Sequence, residues 1–283
     1  MAVIVPRSLA DALRALADAP DATVLAGGTD LMVEVNGGHR RIADVIAVNR
    51  VAELCSWRHD PGSSELFIGA GVTYDEISQP PLAGWVPALA QAARTVGSPQ
   101  IRHAATIGGN LGTCSPAGDG LPPLAALDAV VHLASAAGDR TLPFAEYMVG
   151  PKRTARLPGE LILGVTVPVL HGWQGYSKVG VRNAMVIATA SAALVTDTAT
   201  GSVRIALGSV GPTILRCPEA EAFAAEHVDV AAGTVTDDAV AEFASLVRQA
   251  ARPIDDHRSS AAYRRHAVGV LAARLLRRAF PHG

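Results

Sequence analysis

The sequence is poor in cysteine, in charge and in long apolar runs, and each shortage removes a class of function. Its three cysteines, Cys55, Cys114 and Cys217, lie far apart, with no CxxC pair and no His/Cys spacing suited to zinc or an iron–sulfur cluster. Neither a metal centre nor a disulfide framework is expected. No apolar stretch approaches the roughly 20 residues of a membrane-spanning helix. The opening MAVIVPRSLADAL has neither a basic leader nor a cleavable apolar segment, so a cytoplasmic chain without a membrane span is expected. Charged residues are 18% of the 283 positions and the net charge is -2, which leaves no electrostatic footprint for nucleic acid. Residues 252–278 do hold seven arginines against two aspartates. Val268, Leu271 and Leu275 recur there at helical spacing without an aromatic platform, the pattern of an amphipathic helix docked on its own domain.

What is present is the composition of a globular protein, 49% hydrophobic and long enough for one large domain or two smaller ones. Ser8 and Asp11 form a capping-box-like start for a helix running to about Ala19. A buried-strand pattern at 23–26 then runs straight into Gly27-Gly28-Thr29-Asp30. Strand-like pieces at 44–48 and 66–70 point to a small α/β unit followed by a larger mixed domain. Residues 71–97 read as helical and stop at Gly97-Ser98-Pro99. Residues 124–137 look buried, and 160–168 close on a proline as a terminating strand does. Beyond a boundary at 171–175 come strands at 190–196 and 203–210 and helices at 218–226, 237–251 and 259–279, a second, α+β domain.

Residues 105–122, ATIGGNLGTCSPAGDGLP, carry a single charge, Asp119. A strand ending in two glycines can turn sharply and bring main-chain N–H groups against a phosphate, because no Cβ intervenes. Two such segments exist, Gly27-Gly28-Thr29-Asp30 and Thr106-Ile107-Gly108-Gly109-Asn110, and their convergence on one ligand would suit the pyrophosphate of a dinucleotide. The GxGxxG and GxxxxGK[ST] fingerprints are absent, and the residues after Gly109 do not read as a helix start. The competing reading of each Gly-Gly is a plain tight turn. For Asp119, an Asx-type turn stands beside the binding of polyol hydroxyls.

These residues carry a resemblance. Ala26-Gly27-Gly28-Thr29-Asp30-Leu31, residues 105–111 (ATIGGNL) and 115–119 (SPAGD), then in order 178–188, 206–212 and 256–266, resemble the FAD-binding subunits of molybdenum hydroxylases, such as the flavin domain of xanthine dehydrogenase and the medium subunit of carbon monoxide dehydrogenase. The resemblance implies an α+β protein: a vanillyl-alcohol-oxidase-type FAD-binding domain over 1–172, in subdomains of about 1–55 and 56–172, then a C-terminal flavoprotein domain over 173–283. It implies that Ala26, Gly27, Gly28, Thr29 and Asp30, with Thr106, Gly108 and Gly109, hold the FAD pyrophosphate, and that Asn110 and Thr113 extend this network. Asp119 would bind an FAD hydroxyl, Val96 and Leu163 would line the flavin pocket, and Lys178 would lie close to the flavin as a cation. Arg182 is expected to brace the domain interface and Cys114 to be a buried structural thiol. Arg102 and His103 face either the phosphates or solvent.

The implied function is electron transfer without substrate chemistry of its own and without catalytic residues in this chain. A molybdopterin-binding large subunit would oxidise the substrate, a 2Fe-2S small subunit would relay electrons, and FAD here would pass them to NAD or another acceptor. The assembly would be a dimer of heterotrimers. Two other readings are a self-contained flavin oxidase or reductase, which needs an acid or base over the flavin from among Tyr74, Tyr147 and Tyr176, and a scaffold subunit that has lost its cofactor.

Overall fold

The structure, a computed structural model, describes residues 2–281; Met1, His282 and Gly283, the outer bounds of the domains expected from sequence, lie outside the described residues. The chain opens with a small parallel sheet in which strand Val45–Ala47 lies between Val3–Ile4 and Thr23–Leu25. Helix Leu9–Asp18 is capped as its sequence predicts, the Ser8 hydroxyl accepting from the Asp11 N–H at 3.1 Å.

Next in the chain comes a five-stranded antiparallel sheet. Its central strand, Leu161–Pro168, pairs with Glu65–Gly69 on one side and Val130–Ser135 on the other, with Trp57–His59 and Gly138–Pro143 at the edges. One face buries Leu66, Ile68, Val131, Leu133, Val165 and Val167 against a layer of helices that contributes Leu89, Ile107 and Leu111. Alternation puts these side chains on one face, and burial of that face supplies the driving force.

The third sheet, in the order Gln174–Val179, Ala190–Asp197, Ser202–Gly208, Leu215–Arg216, is buried on both faces. Ala193, Val195 and Ala206 face the first core, whereas Leu194, Ile205 and Leu207 meet helices Asp237–Ala250 and Ala261–Ala279 through Phe243, Val247, Val268 and Leu275. This double burial is why ASAALVT reads as a continuous apolar run rather than an alternating one.

The helical stretch stops before Gly97 as expected, and a new helix, Pro99–Ala104, starts with Pro99 in its first turn; one expectation fails locally, because the second double glycine lies inside a further helix, Ile107–Thr113. The Thr106 hydroxyl caps it by accepting from Gly109 N–H at 2.9 Å, and tertiary bonds fix its first turn, Ile107 N–H to Val72 O at 3.1 Å and Gly108 N–H to Ala70 O at 2.8 Å. These contacts outweigh the low helix propensity of three glycines in seven residues.

Candidate functional site

The two glycine-rich segments do come together. An added Cβ at Gly27 would lie 1.7 Å from the carbonyl oxygen of Ala104, so the first turn presses directly on the backbone leading into the second segment. The Thr113 hydroxyl donates to Asp30 Oδ2 at 3.0 Å, and Lys152 Nζ donates to Glu34 on the helix Leu31–Asn36 just after the first turn. These contacts tie the first turn and the helix after it to the helix Ile107–Thr113 and to the turn at Lys152.

The first turn leaves donors open. Gly28 has φ +71°, the left-handed region that glycine supports without strain. No partner among the described residues takes the backbone N–H of Gly27, Gly28, Thr29 or Asp30. The second segment is the reverse, because the N–H groups of Ile107, Gly108, Gly109 and Asn110 are all engaged within the protein. What it offers is a smooth surface. Gly109 and Gly112 are exposed, one turn apart, and a Cβ at either meets nothing closer than 3.2 Å and 3.8 Å respectively. Gly108, by contrast, is glycine because a Cβ there would sit 2.5 Å from the side chain of Ala70.

Asp119, Lys178 and Tyr176 form a buried cluster across the seam between the first core and the third sheet. Lys178 Nζ donates to Asp119 Oδ2 at 2.6 Å and to the carbonyls of Thr95 and Val186, each at 3.0 Å, which uses all three ammonium protons. The Tyr176 hydroxyl donates to Asp119 Oδ1 at 2.7 Å. Burial raises the Asp119 carboxyl above its ordinary value, while Lys178 and Tyr176 pull it down. Tyr176 and Lys178 are two apart on one strand and so share a face, a signal that sequence reading passed over.

Asn110 Oδ1 accepts from the Tyr74 hydroxyl at 2.7 Å. Val96 is partly buried at the end of helix Pro87–Thr95. Leu163 is partly buried where the central strand bulges, its carbonyl accepting from Ala70 N–H at 2.8 Å. Ala26 and Thr29 are half-buried beside the turn. Arg102 binds the carbonyls of Val96 and Gly97, closing its own corner, and His103 pairs with Asp75 at 3.2 Å. Arg182 does not brace the interface: it is exposed and folds its own loop by donating to the carbonyls of Ala184 and Met185. Cys114 is fully buried, and burial pushes its thiol up to about 12, the condition of an inert structural thiol. Tyr74, Tyr147 and Tyr176 are buried too, which raises all three phenols and makes none of them a ready base.

The arrangement fits an anionic dinucleotide. Unpartnered N–H groups suit phosphate oxygens, and a helix face without side chains lets an extended molecule lie against backbone. A protein built this way belongs to the nucleotide-cofactor-binding class, and comparison with known proteins says which branch. Residues 1–170 match the family model of the FAD binding domain in molybdopterin dehydrogenase, and residues 176–279 match the CO dehydrogenase flavoprotein C-terminal domain. The chain is 32% identical to the glyceraldehyde dehydrogenase medium chain of Sulfolobus acidocaldarius, over 95% of each chain. It is 29% identical to a putative xanthine dehydrogenase FAD-binding subunit of Escherichia coli K12, over 95% of this chain and 92% of that one. Among solved structures, carbon monoxide dehydrogenase from Oligotropha carboxidovorans matches with TM-score 0.90 at 28% identity, covering 100% of this chain and 98% of that one. The chain belongs to the family of FAD-binding subunits of molybdenum-dependent dehydrogenases, and its cofactor is FAD.

Among the described residues no helix is long and apolar enough to cross a membrane.

Proposed function

We propose that this chain is the electron-transfer subunit of a molybdopterin-dependent hydroxylase, taking electrons from a 2Fe-2S small subunit and delivering them to NAD or another acceptor. The observation that carries this reading is the row of unpartnered N–H groups at 27–30, tied through Asp30 to a helix whose exposed face is glycine. Bound FAD supplies the conversion between one-electron and two-electron transfer; everything else is the work of the chain.

In this reading the N–H groups of Gly27, Gly28, Thr29 and Asp30 hold the pyrophosphate. The hydroxyl proton of Thr106 and the amide of Asn110 remain available as further donors, since each side-chain oxygen only accepts within the protein. Asp119 has lone pairs left for one cofactor hydroxyl. Lys178 acts through Asp119 and the Val186 carbonyl rather than by its own contact, because its protons are spent. Val96 and Leu163 line the pocket as apolar walls. With the chain divided at 172/173 and the first part split near residue 55, the cofactor would lie between these units.

The relatives named as FAD subunits or medium chains support partner dependence. A molybdopterin-binding large subunit and a 2Fe-2S small subunit complete the enzyme, arranged as a dimer of heterotrimers. The experiment is a visible spectrum of the purified chain and of the cofactor released on denaturation, then turnover assays with and without those subunits. Flavin bands, release of FAD rather than FMN, and turnover only in the complex are expected. Rapid oxidation of a small substrate by this chain alone would sink the relay reading.

A further inference from the structure

The arginines near the C-terminus have no part in the flavin site, yet several of them converge. Helices Asp237–Ala250 and Ala261–Ala279 enclose an open groove of about 660 Å³ lined by Ser245, Arg248, Gln249, Arg252, Arg265 and His266. This volume falls within the range of small-ligand sites. Arg248, Arg252 and Arg265 are exposed, and none has a carboxylate within salt-bridge distance among the described residues. The nearby acids are turned elsewhere: Asp255 accepts from the Ala261 N–H and Asp256 from Arg264. Arg252 spends one nitrogen on the carbonyls of Gln249 and Ala251, leaving the rest of its fork.

The placement of Arg248 is built into the helix packing. A Cβ at Gly269 would lie 2.6 Å and 2.9 Å from the Cγ and Cδ of Arg248, so glycine at 269 is what lets the arginine stem cross the neighbouring helix. Two helices and the connection between them thus bring three guanidinium groups to one concavity, with an imidazole, a hydroxyl and an amide beside them. The helices cover the sheet face opposite to the one that meets the first core, which sets this groove apart from the flavin seam.

We propose that this groove is a second anion site, selective for a small molecule carrying two or more phosphates, such as a nucleoside diphosphate. Guanidinium forks match phosphate oxygens two at a time, and so much positive charge exceeds what a single carboxylate balances. Ser245 and Gln249 supply neutral donors at the edge.

The test is calorimetric titration of the full chain, saturated with FAD, with inorganic tripolyphosphate, ADP and adenosine at low ionic strength. One saturable site for tripolyphosphate and ADP and none for adenosine are expected. Arg248→Ala combined with Arg265→Ala should weaken binding roughly tenfold or more, and the matching double lysine variant should fall between. Gly269→Ala keeps every charge while crowding the Arg248 stem, so its expected several-fold loss, taken with a thermal melt that checks the helix packing, reads the position of Arg248 rather than charge. Arg274→Ala with Arg278→Ala, on the same helix but outside the groove, should leave binding within about twofold. Flavin content should be unchanged throughout. Absence of saturable binding, equal loss in the Arg274/Arg278 control, or tighter binding of an acidic peptide such as polyglutamate would each overturn the proposal.

Discussion

At Gly27-Gly28 the N–H groups of residues 27–30 have no partner among the described residues, whereas at Gly108-Gly109 every N–H from 107 to 110 is engaged within the protein. Four glycines that look alike in sequence therefore answer to different requirements. Gly27 and Gly108 are glycine because neighbouring protein atoms leave no room for a Cβ, and Gly28 because its φ is +71°. Gly109 is exposed, and a Cβ there would meet only the Thr106 hydroxyl that caps the helix, at 3.2 Å, a close contact with a side chain rather than with backbone. The comparison separates glycines walled in by the protein from one whose Cα faces outward.

Breaking the first kind should have the largest effect. Gly27→Ala drives a Cβ into backbone, which cannot give way as a side chain can, so about 3 kcal/mol or more of stability should be lost. A lowered thermal midpoint checks this before any flavin is measured. Gly28→Val and Gly109→Val should both abolish flavin retention, but by different routes. The first adds roughly 1–3 kcal/mol of backbone strain, while the second crowds only the Thr106 hydroxyl and should lower the melting temperature of the flavin-free chain less than Gly27→Ala does. Normal flavin content in Gly109→Val would show that nothing lies on that helix face.

Smaller effects sharpen the picture across the seam. Asp119→Ala should weaken FAD binding by roughly 1–3 kcal/mol through a lost charged hydrogen bond, measured as a dissociation constant; an unchanged constant removes Asp119 from the cofactor. The smallest effect belongs to Asp256. Burial works against its ionisation, but the N–H groups of Arg258 and Ser259 and the Arg264 guanidinium outweigh it and hold the carboxyl at about 2. Because the folded value lies below the unfolded one, near 3.9, its contribution is present above about pH 4 and is lost as pH falls toward 2. Asp256→Asn should lower stability at neutral pH and flatten the acid limb of a denaturation curve. An acid limb unchanged by the substitution would mean the ion pair is not formed in solution.

Much of the second domain was legible because its signals are local. The Asp237–Ala250 helix carries its cap in Thr236, whose hydroxyl accepts from the Ala239 N–H, and strands Ala190–Asp197 and Ser202–Gly208 announce themselves as apolar runs. The helix Ile107–Thr113 was not legible, since glycine at three of seven positions argues against any helix and its support comes from Val72 and Ala70, far off in the chain. Arg264 was also missed. It is buried, donating to the carbonyls of Thr189 and Ser209 and to Asp256. Its position four before Val268 and seven before Leu271 puts an arginine on the apolar stripe, and that clue was available.

The sequence by itself determined the element types of the C-terminal half, the two glycine-rich segments and, through motifs held in order along the chain, the family and FAD. These come from composition, caps and short-range spacing. Only tertiary structure decided which glycines serve packing and which leave space for a ligand, that Lys178 spends its protons on Asp119 and two carbonyls, and that arginines from two helices share a groove. Each of these depends on atoms distant in sequence arriving within a few ångströms of one another, and no local pattern encodes that distance.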